Sequence, residues 1–198
     1  MPTETPAARR TRLTPEREQE LYEAVVELLR EVGYEALTMD AVAARTRSSK
    51  ATLYRQWKGK PELVATALRQ CKPVSAATID TGSLAGDLHE LVRAHDTNET
   101  KRDQQLMRGL AHAAFQNEDL FRALRELLVE PELESFRTLV RRAVDRGELA
   151  ADNPASEFLP HMLFGGAFAR SVIEGVDPDP EYNHRYLDAV VIPALGLS

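Results

Sequence analysis

The chain has 198 residues, 43% of them hydrophobic and 28% charged, enough to bury one core or two smaller ones and too apolar for an unfolded tail. Its single cysteine, Cys71, excludes an internal disulfide framework and a thiolate-rich metal centre within one chain. No apolar run approaches the ~18 residues that cross a bilayer. Residues 1–12 are polar, without the apolar stretch of a secretion signal, so a cytoplasmic protein with no membrane partner is expected.

Apolar residues recur at three- and four-residue spacing, and no strand-length segment alternates, so the chain reads as all-α. Thr14 as N-cap and Pro15 at the first helical position open helix one, with Leu21, Ala24, Val25, Leu28, Leu29 and Val32 as its buried stripe. Gly33 is expected to end it as a left-handed C-cap. Thr38 caps a second helix over 39–45, and Leu37 before the cap can staple onto Val42. Residues 46–48 make a turn, Ser49 caps a third helix over 50–57, and Lys60-Pro61-Glu62 opens a fourth that runs to 70. The Pro-, Gly- and Thr-containing stretch 72–83 reads as a boundary. Beyond it, helices are expected over 84–95, 102–116, 119–145 with a kink at Pro131, 154–174 and 180–195. The resulting division is an arm over 1–13, a three-helix unit with its fourth helix over 14–72, and a helical bundle over 73–198.

Charge follows the same division. Residues 1–72 hold 13 Lys and Arg against 10 Asp and Glu, a balance of +3, and residues 73–198 hold 12 against 21, a balance of −9. The window 41–61 carries Arg45, Arg47, Lys50, Arg55, Lys58 and Lys60 with no acid. Such a window suits a polyanion.

Two short helices joined by a tight turn form a helix-turn-helix, whose second helix can enter the DNA major groove. With Ser49 as cap, Lys50, Ala51 and Tyr54 share one face of that helix and Leu53 and Trp57 another, so one face reads and the other packs. Lys50 can donate to guanine, small Ala51 permits close approach to a base edge or thymine methyl, and Arg55 can reach base or phosphate. Trp57 is expected in the core. The basic residues Arg9, Arg10 and Arg12 suit an arm over the adjacent groove.

Gly33-Tyr34, Leu37-Thr38-Met39, Val42-Ala43, the run Ser49-Lys50-Ala51-Thr52-Leu53-Tyr54-Arg55-Gln56-Trp57 and Lys60-Pro61-Glu62-Leu63 resemble the tetracycline-repressor (TetR) family. The resemblance covers the first 70 residues at motif level. It implies phosphate contacts by Thr38, Thr52, Tyr54 and Lys60, and it implies that the second region is a ligand-binding and dimerisation domain. Arg47 stands where the family usually has glycine and Ser48 where it often has an apolar residue. A non-glycine costs little there if the turn avoids positive φ, and Arg47 could instead touch phosphate.

Other signals carry less. His89-Glu90-Leu91-Val92-Arg93-Ala94-His95 places its histidines at i and i+6, not the i and i+4 of a zinc protease. His112 and His161 lack carboxylate or thiolate partners at ligand spacing, and Gly165-Gly166 lacks the flanking strand and Lys-Ser/Thr of a phosphate loop. No catalytic residue, metal or cofactor is expected.

The apolar second region offers Met107, His112, Phe115, Phe121, His161, Phe164 and Phe168 as the lining of a small-molecule pocket. From Phe158 to Ala169 no residue is formally charged, so this helix must be covered twice. Phe158, Met162, Gly165, Ala169 and Val172 are expected to meet a second copy, with Tyr182, Tyr186, Ala189 and Val190 of the last helix, while His161, Phe164 and Phe168 face the subunit's own core. The expected function is a homodimeric repressor that binds a palindromic double-stranded DNA operator and responds to a small-molecule effector. The alternative is a DNA-binding activator or architectural protein without an effector.

Overall fold

The computed structural model describes residues 14–72, 74–95 and 100–197, without the side chains of 100–104. The arm over 1–13, with Arg9, Arg10 and Arg12, lies outside the described residues. Helix α1 (Pro15–Ala36) begins as its sequence requires, with the Arg17 amide donating to Thr14 Oγ1 at 3.3 Å. The helix does not stop at Gly33. It kinks there, because Gly33 takes φ 75° and ψ 170°, a region open essentially to glycine alone, and helical backbone resumes to Ala36. The cap is therefore at Leu37, whose amide bonds back to the carbonyls of Gly33 and Tyr34. The buried stripe is also rotated slightly from the expected one. Tyr22 and Val26 are buried, while Ala24 is half-buried and Val32 faces solvent.

Helices α2 (Met39–Thr46), α3 (Lys50–Gln56) and α4 (Lys60–Gln70) follow with caps at Thr38, Ser49 and Gly59. Leu37 and Val42, the expected staple, are both buried in one core. Residues 72–83 are less loose than their composition suggests: a 3-10 turn over Ala76–Thr78 buries Ala76 and Ile79. Then come α5 (Leu84–His95), α6 (Thr100–Gln116) and α7 (Glu118–Leu124). A π-helical turn over Arg125–Val129 leads into α8 (Glu130–Asp145). The expected kink at Pro131 is thus replaced by a π turn just before it. Pro131 fits near the start of α8 because its missing amide lies where the widened turn leaves helical bonding already altered.

Helix α9 (Leu159–Ile173) starts later than Pro154, after a 3-10 turn over Ser156–Phe158. The last helix is α10 (Pro180–Tyr186), a second π turn over Leu187–Val191 and α11 (Ile192–Ala194).

Two apolar cores result. The first joins α1–α4 and also takes Leu106, Leu110 and Ala113 from α6 and Leu120 from α7. The second joins Ala76 and Ile79 to α5, α8, Leu159 and the last helix. The sequence boundary near residue 73 marks the end of α4, yet α6 and α7, from beyond it, pack on the unit formed by α1–α4, the head. Burying leucines such as these contributes roughly 1.5–3 kcal/mol each, so α6 and the α1–α4 unit are held together by apolar contact. Polar side chains lock the second core: Asp87, fully buried, accepts from the Thr81 amide at 2.6 Å and the Thr81 hydroxyl at 2.8 Å. Arg146 and Arg142 lie 3.7 and 4.0 Å from its other oxygen.

Candidate nucleic-acid interface

The head presents α3 outward because its C-terminal end is tied to α1 and its N-terminal end is closed by its own cap. Leu53 is fully buried, and Trp57 is buried with its ring edge-on to Tyr22 at 5.8 Å between centroids. Gln56 Nε2 donates to Glu18 Oε1 at 2.6 Å. At the other end, the Thr52 amide donates to Ser49 Oγ at 3.1 Å. A short helix so anchored is fixed in rotation, and the side chains opposite Leu53 must point to solvent. Lys50, Ala51, Tyr54 and Arg55 are exposed, Tyr54 by 53%. The amphipathic ring of Tyr54 suits a groove lined by sugars and bases.

Helix α2 is held behind α3 by bonds to α1. Arg45 makes a two-pronged pair with Glu31 at 3.0 and 2.5 Å, and that guanidinium holds the Glu31 carboxyl below its ordinary range. Arg17 donates to the Thr46 carbonyl. Thr38, exposed, accepts the Ala41 amide at 3.1 Å, which puts its backbone at the N-terminal end of α2, where anions are favoured.

The turn between α2 and α3 corrects one expectation. It does not avoid positive φ: Arg47 is the C-cap of α2 at φ 51° and ψ 36°, left-handed backbone, and it is the only non-glycine with positive φ among the described residues. Its amide and that of Ser48 close the helix by bonding to the carbonyls of Ala44 and Ala43. The strain is on the order of 1 kcal/mol, and the guanidinium is left exposed beside α3.

Two candidates are not open cations. Lys60 turns inward, donating to the Tyr34 carbonyl at 2.9 Å with its ammonium 4.1 Å above the Tyr34 ring. Partial burial pushes the Lys60 pKa down, while burial, Glu35 and Asp119 push the Tyr34 phenol up to about 12. Lys50 pairs with Asp40 of α2 across the front of the motif, an exposed pair that a phosphate or guanine can displace at little cost. The tie between Lys60 and Tyr34 was invisible in the sequence, although Gly33-Tyr34 signalled that the chain turns there.

The expected pocket lining is not gathered into a pocket. Met107, His112, Phe115 and Phe121 lie on the outer faces of α6 and α7, Phe115 with 82% exposure. His161, Phe164 and Phe168 do not face the subunit's own core but lie exposed on α9, where the Phe164 ring stands edge-on to Phe136 at 6.0 Å between centroids. The reason is rotation of each helix about its axis: α6 spends its buried face on Leu106, Leu110 and Ala113, leaving Met107 and Phe115 on the other side. A cleft of about 540 Å³ instead lies between α1 and α6, lined by Glu27, Arg30, Tyr34, Gln105, Leu106 and Gly109 among others.

The α9 face is apolar in the sense expected for a helix that must be covered twice. Phe158, Phe164, Phe168, Val172 and Ile173 are all at least half exposed, with Val190 of the last helix 40% exposed. Gly165 and Ala189 are exposed too, while Met162, Ala169, Tyr182 and Tyr186 are half-buried. His89 meets Asp188 at 3.0 Å and stacks on His184, but among the described residues no group of three His, Cys, Asp or Glu could hold a metal. No described helix is long and apolar enough to cross a membrane.

Comparison with known proteins agrees with this geometry. Residues 21–67 match the family described as "Bacterial regulatory proteins, tetR family", and residues 78–190 match "Tetracyclin repressor-like, C-terminal domain". An HTH-type transcriptional regulator of Mycobacterium tuberculosis, Rv1556, is 34% identical over 92% of this chain and 89% of its own. The DNA-binding transcriptional repressor TetR of Mycobacteroides abscessus is 33% identical over 81% of this chain and 84% of its own. Among solved structures, the TetR family transcription regulator SCO0332 superposes with a TM-score of 0.72 at 27% identity, covering 92% of this chain and 99% of that one. These relatives are transcriptional regulators, not enzymes. With a helix-turn-helix whose outer face is exposed and two family matches that span both halves, the chain belongs to the tetR family of DNA-binding transcriptional regulators.

Proposed function

We propose that this regulator is a homodimeric repressor that reads a palindromic operator with two copies of α3 and releases it when a small molecule binds in the region of residues 84–174. The observation that carries the reading is the outward face of α3: Lys50, Ala51, Tyr54 and Arg55 are exposed while Leu53 and Trp57 hold the helix to the core. Thr38, Ser49, Thr52 and Arg47 flank that face as phosphate donors. The exposed apolar face of α9 supports dimerisation, because a two-fold axis there would repeat α3 with the symmetry of a palindrome. The name of the relative from Mycobacteroides abscessus supports repression. The packing of α6 and α7 into the head core supports effector response, since a ligand that moves α6 must move α3 with it.

The test is selection of DNA fragments by the purified protein, followed by the same selection with Tyr54→Ala and Lys50→Ala. Both variants should lose or redirect the selected sequence while keeping the helical spectrum and the dimer mass, since neither side chain is buried. Unchanged site preference in both would overturn the reading.

A further inference from the structure

Helices α7 and α8 belong to different apolar bodies although they form one continuous rod. Leu120 lies in the head core and Phe136 and Leu139 in the rear core. The π-helical residues Arg125–Val129 stand between them, and none of the five is buried. A π turn in an otherwise α-helical rod is a local departure from the i to i+4 ladder, and such departures concentrate where helices bend or act. A rotation at that turn would leave the buried residues of both clusters in place, with α4 and the Lys72–Glu132 pair as further contacts across the division.

Polar side chains bridge the same division. Arg108, on the α6 helix that packs with the head, donates to Asp177 in the segment after α9 and to Ser171 Oγ of α9 at 3.4 Å. Ser171 Oγ lies 3.4 Å from the same Asp177 oxygen. The Arg108 and Asp177 side chains are 37% and 26% exposed, so the pair is partly shielded from water and stronger than an open surface pair. It is also directional, because charge-assisted hydrogen bonds weaken steeply with misalignment. Asp177 follows directly on the exposed apolar face of α9, with Val172, Ile173 and Val176 just before it.

We infer that the Arg108–Asp177 pair is a latch that fixes the angle between the head carrying α3 and the rear body carrying the α9 face, and so sets the half-site spacing that the dimer accepts. The latch acts within one subunit alone, and its effect on half-site spacing rests on the proposed dimer and operator. Half-sites one helical turn apart lie about 34–36 Å from each other, and a small rotation at the π turn is multiplied at α3 by the length of the head. Loosening the latch leaves the affinity of each head for its half-site in place and relaxes the spacing.

The experiment has two arms. In a Cys71→Ser background, spin labels at Arg55→Cys on α3 and Arg137→Cys on α8, both exposed, report the head-to-rear distance in labelled chains diluted into excess unlabelled protein. The parent should show one narrow distance. Arg108→Ala and the milder Asp177→Asn should each broaden it, and Arg108→Asp combined with Asp177→Arg should narrow it again. In the second arm, chains without labels select from DNA libraries with varied spacing between half-sites. The single variants should lose roughly fivefold of the preference for the best spacing, a change that a partly shielded pair supports, and the charge swap should recover it.

Parent-like distances in both single variants, or a charge swap that stays broad, would overturn the latch. Broad distances with the parent's spacing preference intact would overturn its role in spacing. Broad distances in the variants with no DNA selected even by the parent would establish the latch and refute the operator reading instead.

Discussion

Tyr186 lies so close to Gly166 that a β-carbon on the glycine would meet the tyrosine ring 2.5 Å away at Cε1 and Cζ. The contact packs the last helix against α9, and the Tyr182 hydroxyl adds a bond to the Gly166 carbonyl at 3.2 Å. At the neighbouring Gly165 a β-carbon would meet nothing within 4 Å. Gly166→Ala should therefore lower stability by about 1–3 kcal/mol, the range for overpacking, while Gly165→Ala leaves it unchanged or slightly raised. Urea unfolding of the two variants side by side checks this, and equal midpoints would refute the close packing.

Gly165 also isolates the proposed interface from the fold. Because it is exposed and Ala169 half-buried, Gly165→Glu with Ala169→Glu should be tolerated by the subunit. It should yield soluble monomer with much weaker operator binding, since like charges would oppose their symmetry mates across a two-fold axis. Sedimentation at micromolar concentration gives the answer; a tight dimer would place the interface off this face.

Arg47 holds left-handed backbone that glycine adopts freely. Arg47→Gly should raise stability by about 1 kcal/mol while removing a cation beside α3. The expected result is a higher melting temperature together with weaker DNA binding and a shallower dependence on salt. A lower melting temperature would mean that the arginine side chain contributes more than its backbone costs.

Lys60 separates a structural from a DNA-binding role. Its bond to the Tyr34 carbonyl and its place over the ring together contribute on the order of 1–2 kcal/mol. Lys60→Ala should lower the urea midpoint accordingly. The slope of log affinity against log salt should change by less than the ~1.8 expected if a dimer lost two phosphate contacts. A full loss of slope with unchanged stability would show instead that Lys60 turns out to meet DNA.

Glu148 accepts the Leu84 amide at 2.6 Å and pairs with Arg146, and these partners hold its carboxyl below its ordinary 4.5. A depressed carboxylate contributes stability that is present above the unfolded value and lost as pH falls through the folded one. Glu148→Gln should thus be less stable than the parent above the ordinary carboxylate value, and the gap should close as pH falls below it through the lowered folded value. Urea midpoints across that range test the sign, and a constant gap would remove the ionised form from the account.

The sequence by itself determined the local events. The cap at Thr14 with its proline, the caps at Thr38 and Ser49, the Leu37–Val42 pairing and the opposed faces of α3 depend on residues within a few positions of one another. Their physics is complete in the local chain, and the outward Lys50, Ala51, Tyr54 and Arg55 follow from the inward Leu53 and Trp57. The tertiary structure decided what depends on how whole helices are rotated. Periodicity marks Met107, Phe115, Phe164 and Phe168 as apolar residues on helices but not which side of each helix finds a partner. On α6 the partner is the head core, which claims Leu106 and Leu110 and turns Phe115 outward. The inward turn of Lys60 has the same origin, while the left-handed backbone at Arg47 and the π turn before Pro131 are backbone geometry that periodicity does not encode. The Lys60 contact joins residues 26 positions apart, so no window of sequence around it contains its partner.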